Sequence, residues 1–205
     1  GTIKSTYGTG SSIMTLLPEF RLAATGVATT MAWRIQGKPY FALEGNISMT
    51  GSAVQWVGEF LGLADPVNDT VKLAATVENS AGVHFVPAMV GLGAPYWDTV
   101  ARGVLMDLGR SSCAAHMARA AVEAIAFQIC DVFEAMESEA GCVLPALYAD
   151  GGGTRNKDLL QFQADMLGRP VLRSQREELS ALGAAWMAGL ALSWWASLAD
   201  LEKLR

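Results

Sequence analysis

Three glycine-rich segments hold the groups of this chain best suited to chemistry: Tyr7-Gly8-Thr9-Gly10-Ser11-Ser12, Gly91-Leu92-Gly93-Ala94-Pro95-Tyr96-Trp97-Asp98 and Asp150-Gly151-Gly152-Gly153-Thr154-Arg155-Asn156. A glycine run lets backbone approach a ligand closely, and free N–H groups at the start of a following helix suit a phosphate or a nucleotide. Thr9, between Gly8 and Gly10, adds a hydroxyl and exposed amides that could hold phosphate in the same way. Plain turns account for the same residues, a tight hairpin around Thr9 and a strand-to-helix turn around Gly152. Neither G-x-G-x-x-G nor G-x-x-x-x-G-K-[ST] occurs in the third segment, so it is neither a Rossmann fingerprint nor a P-loop.

The remaining reactive residue types are less organised. Cys113, Cys130 and Cys142 are odd in number and lack C-x-x-C spacing, as expected of buried or free thiols in a reducing compartment. His84, between Val83 and Phe85, and His116 have no second His or Cys at ligand spacing, so both read as structural and no metal site is expected. The six tryptophans are scattered, as packing residues are. A net charge of -5 without a basic run disfavours nucleic acid. With 51% apolar and 17% charged residues, 205 residues can bury a core as one large domain. No signal peptide is recognisable, and a cytoplasmic location is expected. Leu179 to Ala199 runs without a charge for about the length of a membrane span. Its Ala, Gly and Ser content, with Gly183, Gly189 and Ser193, points instead to a helix pressed against other backbone in a core, and no membrane is expected.

The elements that must position these segments read as follows. Ile3 to Thr6 and Ser12 to Leu16 are strands flanking the first glycine turn. Val27 to Ile35 and Pro39 to Leu43 form a hairpin about Gln36-Gly37-Lys38. Ile47, Val54, Val57 and Leu61 recur as on a helix from Ile47 to Leu61, which puts Gly51 and Gln55 on one face. A short helical segment reaches Glu78, Val83 to Pro87 is a buried strand, and Val104 to Leu108 is another. Ser112 or a neighbour caps a long helix with Met117, Ala121, Ile125, Ile129, Val132 and Met136 inward and Arg119, Glu123 and Glu134 outward. Leu144 to Ala149 is a strand ending at the third glycine segment, Asp158 to Leu167 a helix, and Val171-Leu172 a short strand. A hairpin opening followed by alternating strands and helices predicts an α/β fold, a mixed sheet flanked by helices.

Read in order, Tyr7-Gly8-Thr9-Gly10, Tyr40 to Gly45, Gln55-Trp56, Gly91 to Asp98, Ala101-Arg102-Gly103, Asp150-Gly151-Gly152, Gln161 to Asp165 and Ala181 to Ala185 resemble the carboxy-terminal half of carbohydrate kinases of the FGGY family, closest in wording to its glycerol kinases. The resemblance runs from Tyr7 to about Leu192. It implies an actin-like (ribonuclease H-like) ATPase domain, residues 1–205 being the nucleotide-binding half. A sugar-binding amino-terminal domain would precede it, with ATP and sugar meeting between the two.

By that resemblance Thr9 lies by the nucleotide phosphates, Gly51 and Gln55 line the nucleotide site, and Gly152 and Asn156 hold the adenosine end. Phosphoryl transfer also needs a base, positive charge and Mg. The family's catalytic aspartate and first phosphate loop fall before Gly1, so no catalytic residue is expected here and this chain alone should be inactive. Glu44, Asp98 and Asp150 have blander explanations: a sheet-edge support, a loop-ordering carboxylate and a strand terminus. One departure stands out, because Ser12 replaces a phenylalanine that packs against glycerol's carbon chain in glycerol kinases. That predicts a longer or more hydroxylated polyol or sugar. Glycerol kinase itself and a non-enzymatic actin-like scaffold are the rival readings. The Trp97 loop resembles one that faces the cleft and subunit contacts, and a homodimer or homotetramer is left open.

Overall fold

A computed structural model describes residues 2–176 and 178–203. Strands β1 (Ile3–Tyr7) and β2 (Ser11–Leu17) alternate inward and outward residues, with Ile3, Ser5 and Tyr7 of the first and Ser11, Ile13, Thr15 and Leu17 of the second turned to the core. The period of two that one buried face requires is therefore written directly in the chain. Strands β3 (Ala28–Ile35) and β4 (Lys38–Ile47) make the second hairpin. Helices α1 (Gly51–Phe60) and α2 (Pro66–Ala74), the short strands β5 (His84–Val86) and β6 (Val104–Met106), and the long helix α3 (Ala114–Ala140) follow. Then come β7 (Leu147–Asp150), a 3-10 turn (Gly152–Arg155), α4 (Lys157–Leu167), β8 (Val171–Arg173), α5 (Leu179–Ala191) and α6 (Leu198–Glu202).

The main sheet has six strands in the order β3-β4-β2-β1-β7-β8. Its first four are antiparallel neighbours, whereas β1, β7 and β8 run parallel. The mixed sheet expected from the sequence is thus present. The parallel step at β1 and β7 puts the carboxy-terminal ends of two adjacent strands side by side, and both run into glycine turns. Helix α3 crosses one face of the sheet, packing Val122, Ile125, Ile129, Val132, Phe133 and Met136 against Ile3, Ile13, Leu43 and Leu147.

Four expectations need correction. Ile47 belongs to β4, paired with Ser11, and α1 starts only at Gly51, because ladder pairing captures residues that helical spacing alone would claim. The segment from Val83 to Pro87 is not a buried strand. Only His84–Val86 pair, with β6, in a separate two-stranded ribbon whose one buried residue is Phe85. Glu123 faces inward, 7% exposed and held by Arg119 Nε at 2.7 Å, since α3 is wrapped by neighbours on nearly every side. Helix α5 is not pressed into a core, for only Gly189 is buried, beneath the Trp195 ring, and Gly183 has open space around it. The uncharged run breaks at Ser193, which has positive φ, and among the described residues no helix is long and apolar enough to cross a membrane.

Beneath the first glycine turn lies a buried polar chain. Tyr7 Oη donates to Gln163 Oε1 at 3.2 Å, and Gln163 Nε2 donates to the Ala126 carbonyl at 3.3 Å and to Cys130 Sγ at 3.2 Å. Burial pushes the Cys130 thiol up to about 11 and holds the Tyr7 phenol above its ordinary value, with the neighbouring Cys130 a smaller contribution. Tyr7→Phe should leave Gln163 Oε1 buried without its donor and cost about 1–3 kcal/mol in urea unfolding at neutral pH. The unfolded tyrosine ionises near pH 10 while the folded one does not, so the native tyrosine's advantage is complete below pH 10 and shrinks as pH rises beyond it. A stability gap between the two proteins that stays constant from pH 7 to 11 would show that Tyr7 is not held neutral.

Candidate functional site

The turn between β1 and β2 is fixed by the start of α1. The Gly8 carbonyl accepts from Gly51 N at 3.0 Å, and the Thr9 carbonyl accepts from Thr50 N at 3.2 Å and Ser52 N at 2.9 Å. The Thr50 hydroxyl also donates to the Gly8 carbonyl at 3.1 Å and lies 3.0 Å from Ser11 Oγ. Amides at the head of α1 are consequently spent on the turn rather than left for an anion. A Cβ on Gly51 would stand 2.5 Å from the Gly8 carbonyl oxygen, so close backbone approach explains that glycine. Thr9 itself remains exposed on a turn held to α1 by three backbone bonds. Gln55 is one turn along α1, exposed, and donates to Glu59 Oε1 at 2.8 Å.

The third glycine segment closes on the same strand. Gly151 has φ 90° and its added Cβ would lie 2.6 Å from the Tyr7 carbonyl oxygen, so this loop rests on the last residue of β1. Gly152 differs, because nothing lies within 4 Å of a Cβ placed there. It is exposed, and the space over it is open. Asn156 caps α4, accepting from Leu159 N at 3.1 Å through Oδ1, which leaves its Nδ2 for other work. Thr9 and Gly51 are thus brought together directly, whereas Gly152 and Asn156 belong to a separate turn that reaches the end of β1 only through Gly151 and Gly153, which rest on Tyr7.

Ser12 falls into a different neighbourhood. It lies opposite Thr6 on one side and Asn46 on the other, and Thr6 in turn lies opposite Asp150. Asp150, Thr6, Ser12 and Asn46 therefore form one polar row across four strands, on the sheet face away from α3. A pocket of about 310 Å³ opens over this row, lined by Thr6, Ser11, Ser12, Asn46 and Ser180 together with Gly10 and Ile47. None of Thr9, Gly51, Gln55, Gly152 and Asn156 lines it.

At the β7 end of the row, Asp150 is 1% exposed and pairs with Lys4 Nζ at 3.2 Å, while Lys4 Nζ also donates to Thr6 Oγ1 at 2.5 Å. Asp150 does terminate its strand, and its pairing with Lys4, 146 residues away, leaves no local mark in the sequence. Glu44 is not at the sheet edge as expected. It sits on β4, inside β3, and its Oε1 accepts from Ser12 Oγ at 3.4 Å. Asp98 orders its loop as expected, accepting from Val100 N and Ala101 N at 2.9 and 3.0 Å. That second glycine segment docks on β4 where the row ends, with Ala94 N donating to the Asn46 carbonyl at 2.9 Å. Trp97 Nε1 donates to the Gly26 carbonyl at 2.6 Å. His116 is structural, its Nδ1 accepting from Cys113 N at 3.1 Å, and Cys113, next to Ser112, caps α3 as the expectation allowed. Sequence reasoning missed Asn46 and Ser180, whose only advance signal was polarity in a strand and a helix start.

Residues 3–192 match the sequence profile of the FGGY family of carbohydrate kinases, C-terminal domain. An apulose kinase from Pectobacterium atrosepticum is 52% identical over 195 residues, which cover 95% of this chain and 39% of that protein. A glycerol kinase from Dechloromonas aromatica is 48% identical over 205 residues, all of this chain and 41% of that protein. The crystal structure of Plasmodium falciparum glycerol kinase with ADP superposes with a TM-score of 0.85 at 34% identity, over 98% of this chain and 40% of that one. This chain belongs to the FGGY family of carbohydrate kinases as its carboxy-terminal domain, with the actin-like α/β fold of that family. It spans about two fifths of the length of these relatives.

Gly51 and Gly152 separate two uses of glycine that the sequence cannot distinguish. Gly51→Ala should displace the Gly8 carbonyl and cost roughly 1–3 kcal/mol in urea unfolding, as overpacking does. Gly152→Val should stay within about 0.5 kcal/mol of the parent, having open space to fill. Equal losses in the two variants would refute the packing role of Gly51.

Proposed function

We propose that this chain is the nucleotide-binding half of an ATP-dependent kinase that phosphorylates a hydroxyl of a polyol or sugar, completed by an amino-terminal domain that carries the catalytic base. The observation that carries this reading is the meeting of two glycine turns at the ends of the parallel strands β1 and β7, with the Thr9 hydroxyl exposed and the space over Gly152 open. Family membership supports it. The residues present fit a nucleotide: Thr9 would hold phosphate oxygens through its hydroxyl, Gly152 would admit the adenosine end against bare backbone, and Asn156 Nδ2 would donate to it. Gly51 supports this arrangement by seating the Thr9 turn, and Gln55 borders it from α1. ATP, when bound, supplies the phosphoryl group, and Mg is expected to accompany its phosphates. Among the described residues no group of three or more His, Cys, Asp and Glu side chains is placed to hold a metal ion.

Overall identity does not choose the acceptor, since apulose and glycerol kinases stand within a few per cent of each other among the relatives. Ser12 favours a longer or more hydroxylated acceptor than glycerol, because a hydroxyl paired with Glu44 stands where an aromatic wall would grip a short carbon chain.

Joined to its amino-terminal half, the protein should release ADP from ATP in the presence of a polyol or sugar, and this chain alone should not. Gly152→Val in the joined protein should weaken ATP binding at least ~10-fold by calorimetry through steric exclusion, and Asn156→Ala about 5-fold through one lost contact. Unchanged ATP affinity in Gly152→Val would overturn the adenosine assignment. The absence of acceptor-dependent turnover would favour the actin-like scaffold reading.

A further inference from the structure

The segment Gln161 to Asp165 carries part of the family resemblance, and nothing in the nucleotide reading gives it a role. Its two glutamines differ sharply in setting. Gln161 is exposed and donates to Asp165 Oδ1 at 2.8 Å on the surface of α4, whereas Gln163 is fully buried. We propose that Gln163 is a positioning residue for the nucleotide: acting through Tyr7, it sets where the Thr9 turn and the Gly152 turn stand relative to each other. The inference rests on the kinase reading and deepens it.

Three observations carry it. First, packing alone does not call for an amide at this place. Leu159, one turn earlier on the same face of α4, is a buried apolar residue, and a methionine at 163 would fill a similar volume without burying polar atoms. The amide is instead held in one orientation. Its Oε1 accepts from the Tyr7 hydroxyl, and its Nε2 spends donors on the Ala126 carbonyl and on Cys130 Sγ. Exchanging Oε1 with Nε2 would set an oxygen against the Ala126 carbonyl, so only one placement satisfies every partner.

Second, Tyr7 is where this fixed amide meets both turns. Gly8, which opens the Thr9 turn, follows it directly in the chain. A Cβ on Gly151 would lie 2.6 Å from the Tyr7 carbonyl oxygen, and one on Gly153 would lie 2.9 Å from Tyr7 Cβ, so the third glycine segment rests on the main chain and on the root of the side chain alike. Any shift of the tyrosine is therefore passed to the residues on either side of Gly152. Gln163 is also seven residues beyond Asn156 on α4, about two turns and roughly 10 Å along the axis, so its three bonds fix the rotation of the helix whose cap Asn156 provides.

Third, both turns are referred to the same stretch of α3. Gln128 Nε2 donates to the Met49 carbonyl at 3.0 Å, directly before Thr50, whose hydroxyl donates to the Gly8 carbonyl. The Thr9 turn is thus tied to α3 at Gln128 from the side of α1. Gln163 ties Tyr7 to α3 at Ala126 and Cys130, one step of two residues on either side of Gln128. A nucleotide reaching across both turns would then meet a spacing already set, which lowers the ordering cost of binding. Gln163 acts through Tyr7 and α4, which makes its role one of positioning.

The test uses the joined two-domain protein with ATP and a panel of glycerol, erythritol, five-carbon polyols and five-carbon ketoses, with melting temperature measured alongside. Gln163→Met leaves the Tyr7 hydroxyl buried without a partner. It should lower the melting temperature and raise the KM for ATP about 5-fold or more, while the KM for the best acceptor changes less than about 2-fold. Tyr7→Phe, which keeps the ring, should raise the KM for ATP at least about 3-fold. The double variant Tyr7→Phe with Gln163→Met is apolar on both sides and should recover most of the melting temperature, because neither partner is left unpaired, yet its KM for ATP should stay raised. A double variant that recovers stability and KM for ATP together shows a purely structural role and overturns the assignment. A KM for ATP within about 2-fold of the parent's in either single variant also overturns it, and Tyr7→Phe decides if Gln163→Met does not fold. Each of these outcomes leaves the kinase reading intact. A parent that phosphorylates no member of the panel overturns the kinase reading, and this assignment with it.

Discussion

Close approach of bare backbone around the end of β1 is the constraint on which the rest of this domain depends. Tyr7 is the last residue of that strand, and its carbonyl meets Gly151 at the end of β7, while Gly8 one residue later meets Gly51 at the head of α1. Neither contact leaves room for a Cβ. The segments of Gly51 and Gly151, 100 residues apart in sequence, are thereby held at one strand end by main-chain atoms, which lack rotamers and cannot drift as side chains do. Beside this junction lie an exposed threonine, Thr9, and an open glycine, Gly152.

The junction is stiffened from below. Tyr7 points into the core and shares its hydroxyl with Gln163 of α4, which is bonded in turn to α3 at Ala126 and Cys130. A fully satisfied buried polar chain specifies one arrangement more sharply than apolar packing alone. It links the turn that bears Thr9 to the helix that follows Gly152, so both candidate nucleotide loops answer to one set of bonds. Asp150 and Lys4 add a charged pair on the opposite sheet face, where the polar row begins.

Much of this was legible in the residues, for identifiable reasons. The β1–β2 turn was readable because alternation on both sides and glycine in between leave little else possible. The pairing of Gly51 with Gln55 on one face survived even though the helix began four residues late, since helical spacing is indifferent to where the helix starts. Ile47 was misassigned because an apolar residue one heptad before another satisfies a helix and a strand end alike. The i,i+4 spacing of Arg119 and Glu123 announces their pairing but points to a solvated face, because nothing local records that other elements cover it. Helix α5 was read as buried from its composition, yet composition records what a helix is able to cover and not what covers it. Asn46 escapes notice for a related reason: a polar strand residue becomes notable only when its register neighbours Thr6 and Ser12 are known to be polar as well.

On the reading proposed above, the Thr9 turn and the Gly152 turn form one nucleotide site organised around Tyr7. Amide hydrogen exchange on the joined protein, with and without ADP, tests it most directly. Nucleotide should slow exchange concurrently, over one ADP titration midpoint, in the segments 8–11 and 151–155, with no comparable change in the β5–β6 ribbon. Protection confined to one of the two turns, or appearing at two separate ADP concentrations, would contradict it.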